Sequence, residues 1–123
     1  MKRIGLIFGP TLMFLALGRA AAPSDQPFTG DIMDSKCAQT GAHAEMMKDH
    51  NDIHTAKECT LLCVKQGADY VLFNALAKMT YQLDDQAKVA QFAGSRVAVT
   101  GTLDDSNKTI HVTDIKLAPP EVP

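Results

Sequence analysis

Three cysteines, Cys37, Cys59 and Cys63, are the residues of this chain best equipped for chemistry. A cysteine can pair into a disulfide, bind a metal as thiolate or attack an electrophile. In an oxidising compartment an odd number leaves one thiol outside any pair within the chain. Thr55-Ala56-Lys57-Glu58 reads as a capping box and Gly67 as a stop, which predicts a helix from about Ala56 to Gln66. Cys59 and Cys63 then share one helix face, with Cβ atoms about 5–6 Å apart, whereas a disulfide wants roughly 3.8 Å. A disulfide within the chain must therefore include Cys37, paired with Cys59 or Cys63. It would close a loop of about 22–26 residues and contribute on the order of 3 kcal/mol. Cys59 also lies near the helix start, where the dipole favours a thiolate. A thiol-active protein would use Cys59 as the attacking group and Cys63 as its resolving or bridged partner.

The same sulfurs admit a metal. Three thiolates and one imidazole form a common zinc set, and His43, His50 and His54 lie between Cys37 and Cys59. Sulfur donors suit Cu(I) equally, and Met46 and Met47 would add thioethers. The spacing of Cys59 and Cys63 matches neither zinc ribbons, thioredoxin-like redox sites nor covalent haem attachment. Each further donor also has a structural explanation. His43 and His50 flank a short amphipathic stretch, His54 precedes the capping threonine, and Met46 and Met47 suit packing of the insertion. His111, between Ile110 and Val112 on a strand, faces away from that apolar pair. Asp34, three residues before Cys37, reads as a turn former.

No catalytic motif is present: there is no nucleophile elbow, phosphate-cradling glycine loop or His-Glu-x-x-His, so no catalytic residue is assigned. The chain carries a net charge of −2. Loss of Lys2, Arg3 and Arg19 with an export signal would make it more acidic. That balance disfavours nucleic acid as a partner.

The elements that must position the cysteines are short strands. Val97, Val99 and Leu103 alternate in Arg96–Leu103, as do Ile110 and Val112 in Thr109–Thr113, and the turn formers Asp104 to Lys108 join them as a hairpin. Gly101 within the first of these strands suggests a bulge or sharp bend. Tyr70–Phe73 and Met79–Leu83 make a second pair, followed by a helix over Asp84–Ala93 with Ala87, Ala90 and Phe92 apolar and Gly94 as the stop. With a first strand at Phe28–Met33, the chain is mainly β with a cysteine-bearing helical insertion between strands 1 and 2. Five strands with a helix between the third and fourth follow the order of a small OB-like barrel.

Lys2 and Arg3, the apolar run Ile4–Leu17 and the small residues Gly18, Ala20, Ala21 and Ala22 have the three zones of a signal peptide. Cleavage is expected between positions 20 and 22, which puts the protein in the periplasm or outside the cell with no stable membrane span left. Residues 21–27 are expected as a disordered linker, 28–118 as one domain and 119–123 as a proline-rich tail.

The runs Asp34-Ser35-Lys36-Cys37-Ala38, Cys59-Thr60-Leu61-Leu62-Cys63-Val64, Gly67-Ala68-Asp69-Tyr70-Val71-Leu72 and Val99-Thr100-Gly101-Thr102-Leu103 resemble a family of small exported bacterial proteins. Its members carry a domain of unknown function and are frequent in soil bacteria such as acidobacteria. The resemblance implies an exported, OB-like domain with a cysteine-rich insertion, and no particular activity. The leading expectation is a non-enzymatic binding module, its ligand unspecified, held by a disulfide through Cys37. A zinc or copper protein and a thiol-active protein are the alternatives.

Overall fold

The computed structural model describes residues 24–40 and 52–119, with Gly5, Gly9, Gly18 and Lys48 as isolated positions. The expected signal segment, His43, Met46, Met47 and His50, and the tail from Pro120 lie outside the described residues. Strands and helices follow in the order β1 (Gln26–Asp34), α1 (Ser35–Thr40), α2 (Ala56–Lys65), β2 (Tyr70–Asn74), β3 (Met79–Leu83), α3 (Gln86–Ala90), β4 (Arg96–Asp104) and β5 (Thr109–Leu117). The chain is mainly β. No helix among the described residues is long and apolar enough to cross a membrane.

The five strands form one sheet that closes on itself as a ring in the order β1-β2-β3-β5-β4. Every neighbouring pair is antiparallel except β3 and β5, which run parallel through Gln82↔Thr109 and Leu83↔Ile110. β1 turns the corner: Gln26 to Asp31 pair with β4 and Asp31 to Asp34 with β2. It begins two residues before the expected Phe28, so Gln26 and Pro27 belong to the ladder and not to a disordered linker. Proline is accommodated there because this end of the strand has β4 on one side only. β5 runs past the expected Thr113 to Leu117: Ile115 is buried between polar Asp114 and Lys116 opposite Val99, out of step with Ile110 and Val112 because Thr113 is left unpaired where the register shifts. The register of β4 against β5 shifts at Thr100/Gly101, the expected bulge, where a side chain would run into the His111 carbonyl. Both hairpin turns end on a lysine in the left-handed region, Lys78 at φ 51° and Lys108 at φ 54°.

The helix after β3 is shorter than the expected Asp84–Ala93. Asp85 accepts from the Lys88 N–H at 2.9 Å and caps α3, which buries Val89 rather than Ala87. Val89 and Ala93 join Ile32, Leu72, Val97, Val99 and Ile110 in the core inside the ring. A second core gathers Met33, Cys37, Ala38, Ile53, Cys59 and Val71, with Leu62 and Phe73 packed against it. Neighbouring residues therefore serve different cores: Ile32 and Met33 on β1, Leu72 and Val71 on β2. That is why Tyr70-Val71-Leu72-Phe73 is an unbroken apolar run, since both faces of the strand are covered.

Gly94 fastens the insertion to the ring. Its N–H donates to the Ile32 carbonyl at 2.8 Å, its φ is +74°, and a Cβ there would lie 2.5 Å from the Lys57 nitrogen in the first turn of α2. Gly94→Ala combines a left-handed alanine with a backbone clash, and is expected to cost about 2 kcal/mol or more. Urea unfolding of the purified variant checks this.

Candidate metal centre

Both ends of α2 are locked by local chemistry. At the start, Thr55 Oγ1 accepts from the Glu58 N–H at 3.1 Å while Glu58 Oε2 accepts from the N–H groups of Thr55 (3.2 Å) and His54 (2.8 Å), completing the expected capping box. At the finish, the Ala68 N–H donates to the Cys63 carbonyl at 3.0 Å and the Gly67 N–H to the Val64 carbonyl at 3.0 Å, with Gly67 at φ +104°. This is a Schellman closure, and it fixes the backbone of Cys63 itself. Cys59 and Cys63, four residues apart, are both fully buried on this helix.

Cys37 arrives from a different element. Asp34 ends β1, and its Oδ1 accepts from the N–H groups of Lys36 (3.1 Å) and Cys37 (2.9 Å), which turns the chain directly from strand into α1. The start of α1 is tied to the residue before β2: the Ser35 N–H donates to the Asp69 carbonyl at 2.9 Å and the Asp69 N–H to Ser35 Oγ at 3.2 Å. Cys37 is thereby brought against α2, with its Sγ 3.7 Å from Cys59 Sγ. An S–S bond is about 2.05 Å long, so these two cysteines are in contact as thiols and the expected disulfide is not formed.

Asp34 completes the group. One ligand atom from each of Asp34, Cys37, Cys59 and Cys63 lies within 4.8 Å of all the others, and all four residues are buried, at 0%, 1%, 0% and 0% exposure. Capping uses Oδ1 only. Asp34 Oδ2 is buried with no hydrogen-bond partner, a costly state for a carboxylate oxygen. Burial pushes the Cys37 thiol well up from its ordinary value, reinforced by Asp34 and Cys59 beside it. Burial likewise raises Cys63, and the charge of Asp34 adds to it. Neither of these two cysteines is a ready nucleophile here, and Cys59, though near the helix start, has no exposed surface through which to meet a substrate.

Residues 64–118 match the model of a family described as protein of unknown function (DUF5818). The matched segment opens on Val64, directly after Cys63. It therefore takes in β2 to β5 and leaves all four residues of the cluster on its N-terminal side. Comparison with curated proteins and with solved structures gave no match.

Of the candidate residues named from sequence, the structure brings together the three cysteines. His54 is exposed, and among the described residues the cluster holds no histidine. The sequence marks Asp34 as a turn former. It forms that turn, and one of its carboxylate oxygens also belongs to the cluster, a role that the spacing Asp-x-x-Cys at a strand-to-helix junction would signal. Away from the cluster, His111 is exposed as expected, and its Nδ1 lies 3.0 Å from Asp84 Oδ2. Asp84 Oδ1 accepts from the Val112 N–H at 2.8 Å, and this bond first, then His111, holds the carboxyl below its ordinary value.

The capping box makes stability pH-dependent. The N–H of His54, followed by that of Thr55, holds the Glu58 carboxyl below its usual range. A group depressed in the folded state contributes stability that is complete above its unfolded value and is lost as pH falls through its folded value. Urea midpoints of the metal-free protein are expected to drop on acidification below about pH 4. Glu58→Gln should flatten part of that dependence, with Asp84 supplying a further part of the same sign.

Proposed function

We propose that this chain is a small exported zinc-binding protein in which Asp34, Cys37, Cys59 and Cys63 hold one divalent ion and clamp the helical insertion onto an OB-like barrel. One observation carries the reading: three buried sulfurs and a carboxylate oxygen of buried Asp34, whose Oδ2 has no hydrogen-bond partner, converge from β1, α1 and α2 on a common point. A tetrahedral ion with Zn–S bonds of about 2.3 Å needs sulfurs about 3.8 Å apart. Cys37 and Cys59 stand at 3.7 Å, and the widest separation in the group has to contract by about 1.3 Å at most. The donor types choose the metal. Zinc accepts thiolate and carboxylate together, whereas Cu(I) prefers sulfur throughout and gains nothing from Asp34. Four protein donors in a dry site leave no open position, so the role is to bind and to brace rather than to catalyse.

The OB-like reading is supported by the ring order, the parallel β3–β5 contact and the helix between the third and fourth strands. Export to the periplasm or beyond is supported by Lys2 and Arg3, the apolar run Ile4–Leu17 and the small residues after it.

Titration of the reduced protein with Co²⁺ and then Zn²⁺ tests the proposal. One cobalt per chain is expected, with sulfur-to-cobalt charge-transfer bands and tetrahedral ligand-field absorption that zinc displaces. Cys59→Ser and Cys63→Ser should lose this signal and His54→Ala should keep it. Absence of uptake, an octahedral cobalt spectrum, or full uptake by both cysteine variants overturns it.

A further inference from the structure

The geometry points to a second state of this centre, in which hydrogen peroxide joins Cys37 to Cys59 as a disulfide and the zinc ion leaves. The inference rests on the metal-binding reading above and concerns how that site is emptied. Cys59 and Cys63 cannot pair, because residues four apart on a helix hold their Cβ atoms about 5–6 Å apart against the 3.5–4.5 Å a disulfide needs. Cys37 belongs to α1, an element separate from α2, and its sulfur already touches that of Cys59 at 3.7 Å. Forming a bond of about 2.05 Å brings the two sulfurs about 1.7 Å closer, a shift supplied by rotation about the two Cα–Cβ bonds together with a small movement of the six-residue α1 against α2.

Burial selects the oxidant. With the three cysteines at 0–1% exposure, the sulfur of a partner protein or of a bulky disulfide has no line of approach. Hydrogen peroxide has two heavy atoms and needs only a transient gap. In the zinc-loaded protein the ion has already displaced the Cys37 proton, so the sulfur that is a poor nucleophile as a buried thiol is held as a thiolate. It attacks one peroxide oxygen: an S–O bond forms, the O–O bond breaks, hydroxide leaves and Cys37 becomes a sulfenic acid. The Cys59 thiolate then attacks that sulfur, the S–S bond forms, the S–O bond breaks and a second hydroxide leaves. Two electrons pass from the two sulfurs to the two peroxide oxygens. The ion is left with Cys63 and Asp34, too few donors to hold it, and Cys63 takes a proton from water as the zinc departs. Zinc and the disulfide use the same two sulfurs and exclude one another, yet each ties α1 to α2. The clamp thus survives oxidation while its ion is given up, and Cys63 is the thiol left over.

Zinc-loaded, reduced protein treated with hydrogen peroxide gives the test, with released zinc followed by a chromogenic chelator and the cysteines mapped by alkylation and peptide mass. The expected result is one equivalent of zinc released per chain, a protein lighter by two hydrogens, a Cys37–Cys59 linked peptide pair and Cys63 alone alkylated. Zinc retained under peroxide, release with sulfinic acid instead of a disulfide, a Cys37–Cys63 pair, or linkage between chains overturns it. A protein that takes up no zinc before peroxide is added fails the metal reading itself, a failure visible one step earlier.

Discussion

Stripping zinc from the loaded, reduced protein should lower its unfolding midpoint by about 10–30 °C. An ion present at about 100 to 1,000 times its dissociation constant stabilises the folded state by roughly 2.7–4.1 kcal/mol, because the unfolded chain no longer assembles the site. For a domain of roughly 60–100 residues each kcal/mol moves the midpoint by about 4–8 °C. The ion's share is large because its donors sit where the insertion has little else. The second core is a handful of side chains around Met33, Ile53 and Val71, while the ring keeps its own core of Ile32, Leu72, Val97, Val99 and Ile110. Circular dichroism melts with and without a zinc-selective chelator, at fixed total zinc, measure the shift. An unmoved midpoint would mean that the folded chain holds no ion.

The extent to which this arrangement is legible in the sequence follows the range of the interactions involved. The capping box at Thr55 and Glu58 and the stop at Gly67 are local, so the start and finish of α2 can be read within a residue. The β4–β5 hairpin is equally local, written by alternation and by the turn formers between Asp104 and Lys108. The end of β5 is not legible, because the single apolar Ile115 among polar neighbours is a weak signal until β4 is set beside it. The parallel β3–β5 contact that closes the ring joins residues whose proximity no local pattern encodes. The cysteines were legible as donors by type, and the exclusion of a Cys59–Cys63 bond by helix spacing. Asp34 is not legible as a fourth donor, because capping accounts for one of its oxygens and the cluster it joins is completed by Cys59 and Cys63 of α2, a distant stretch of chain. By type the histidines are the expected fourth donors, because imidazole is the usual companion of three thiolates, whereas among the described residues the companion in the cluster is the carboxylate of a capping residue.

That double use of Asp34 makes Asp34→Asn the most discriminating single change, with opposite signs in the two states of the protein. Asparagine caps helices as well as aspartate does, so the bonds to the Lys36 and Cys37 N–H groups survive and α1 still begins in the same place. What is lost is the carboxylate, with Oδ2 replaced by an amide group. In the metal-free chain that oxygen is buried without a partner, and its replacement by an amide, which can donate toward the neighbouring sulfurs, should raise stability by roughly 1–3 kcal/mol. In the zinc-loaded chain the same change removes a ligand. Altering groups that merely orient a ligand costs about 10–100-fold in affinity, so losing the ligand itself should cost at least about 100-fold. Zinc affinity by chelator competition and urea unfolding in each state give the two readings. A variant less stable without metal, yet unchanged in affinity, would return Asp34 to a purely capping role and leave the three sulfurs to bind alone.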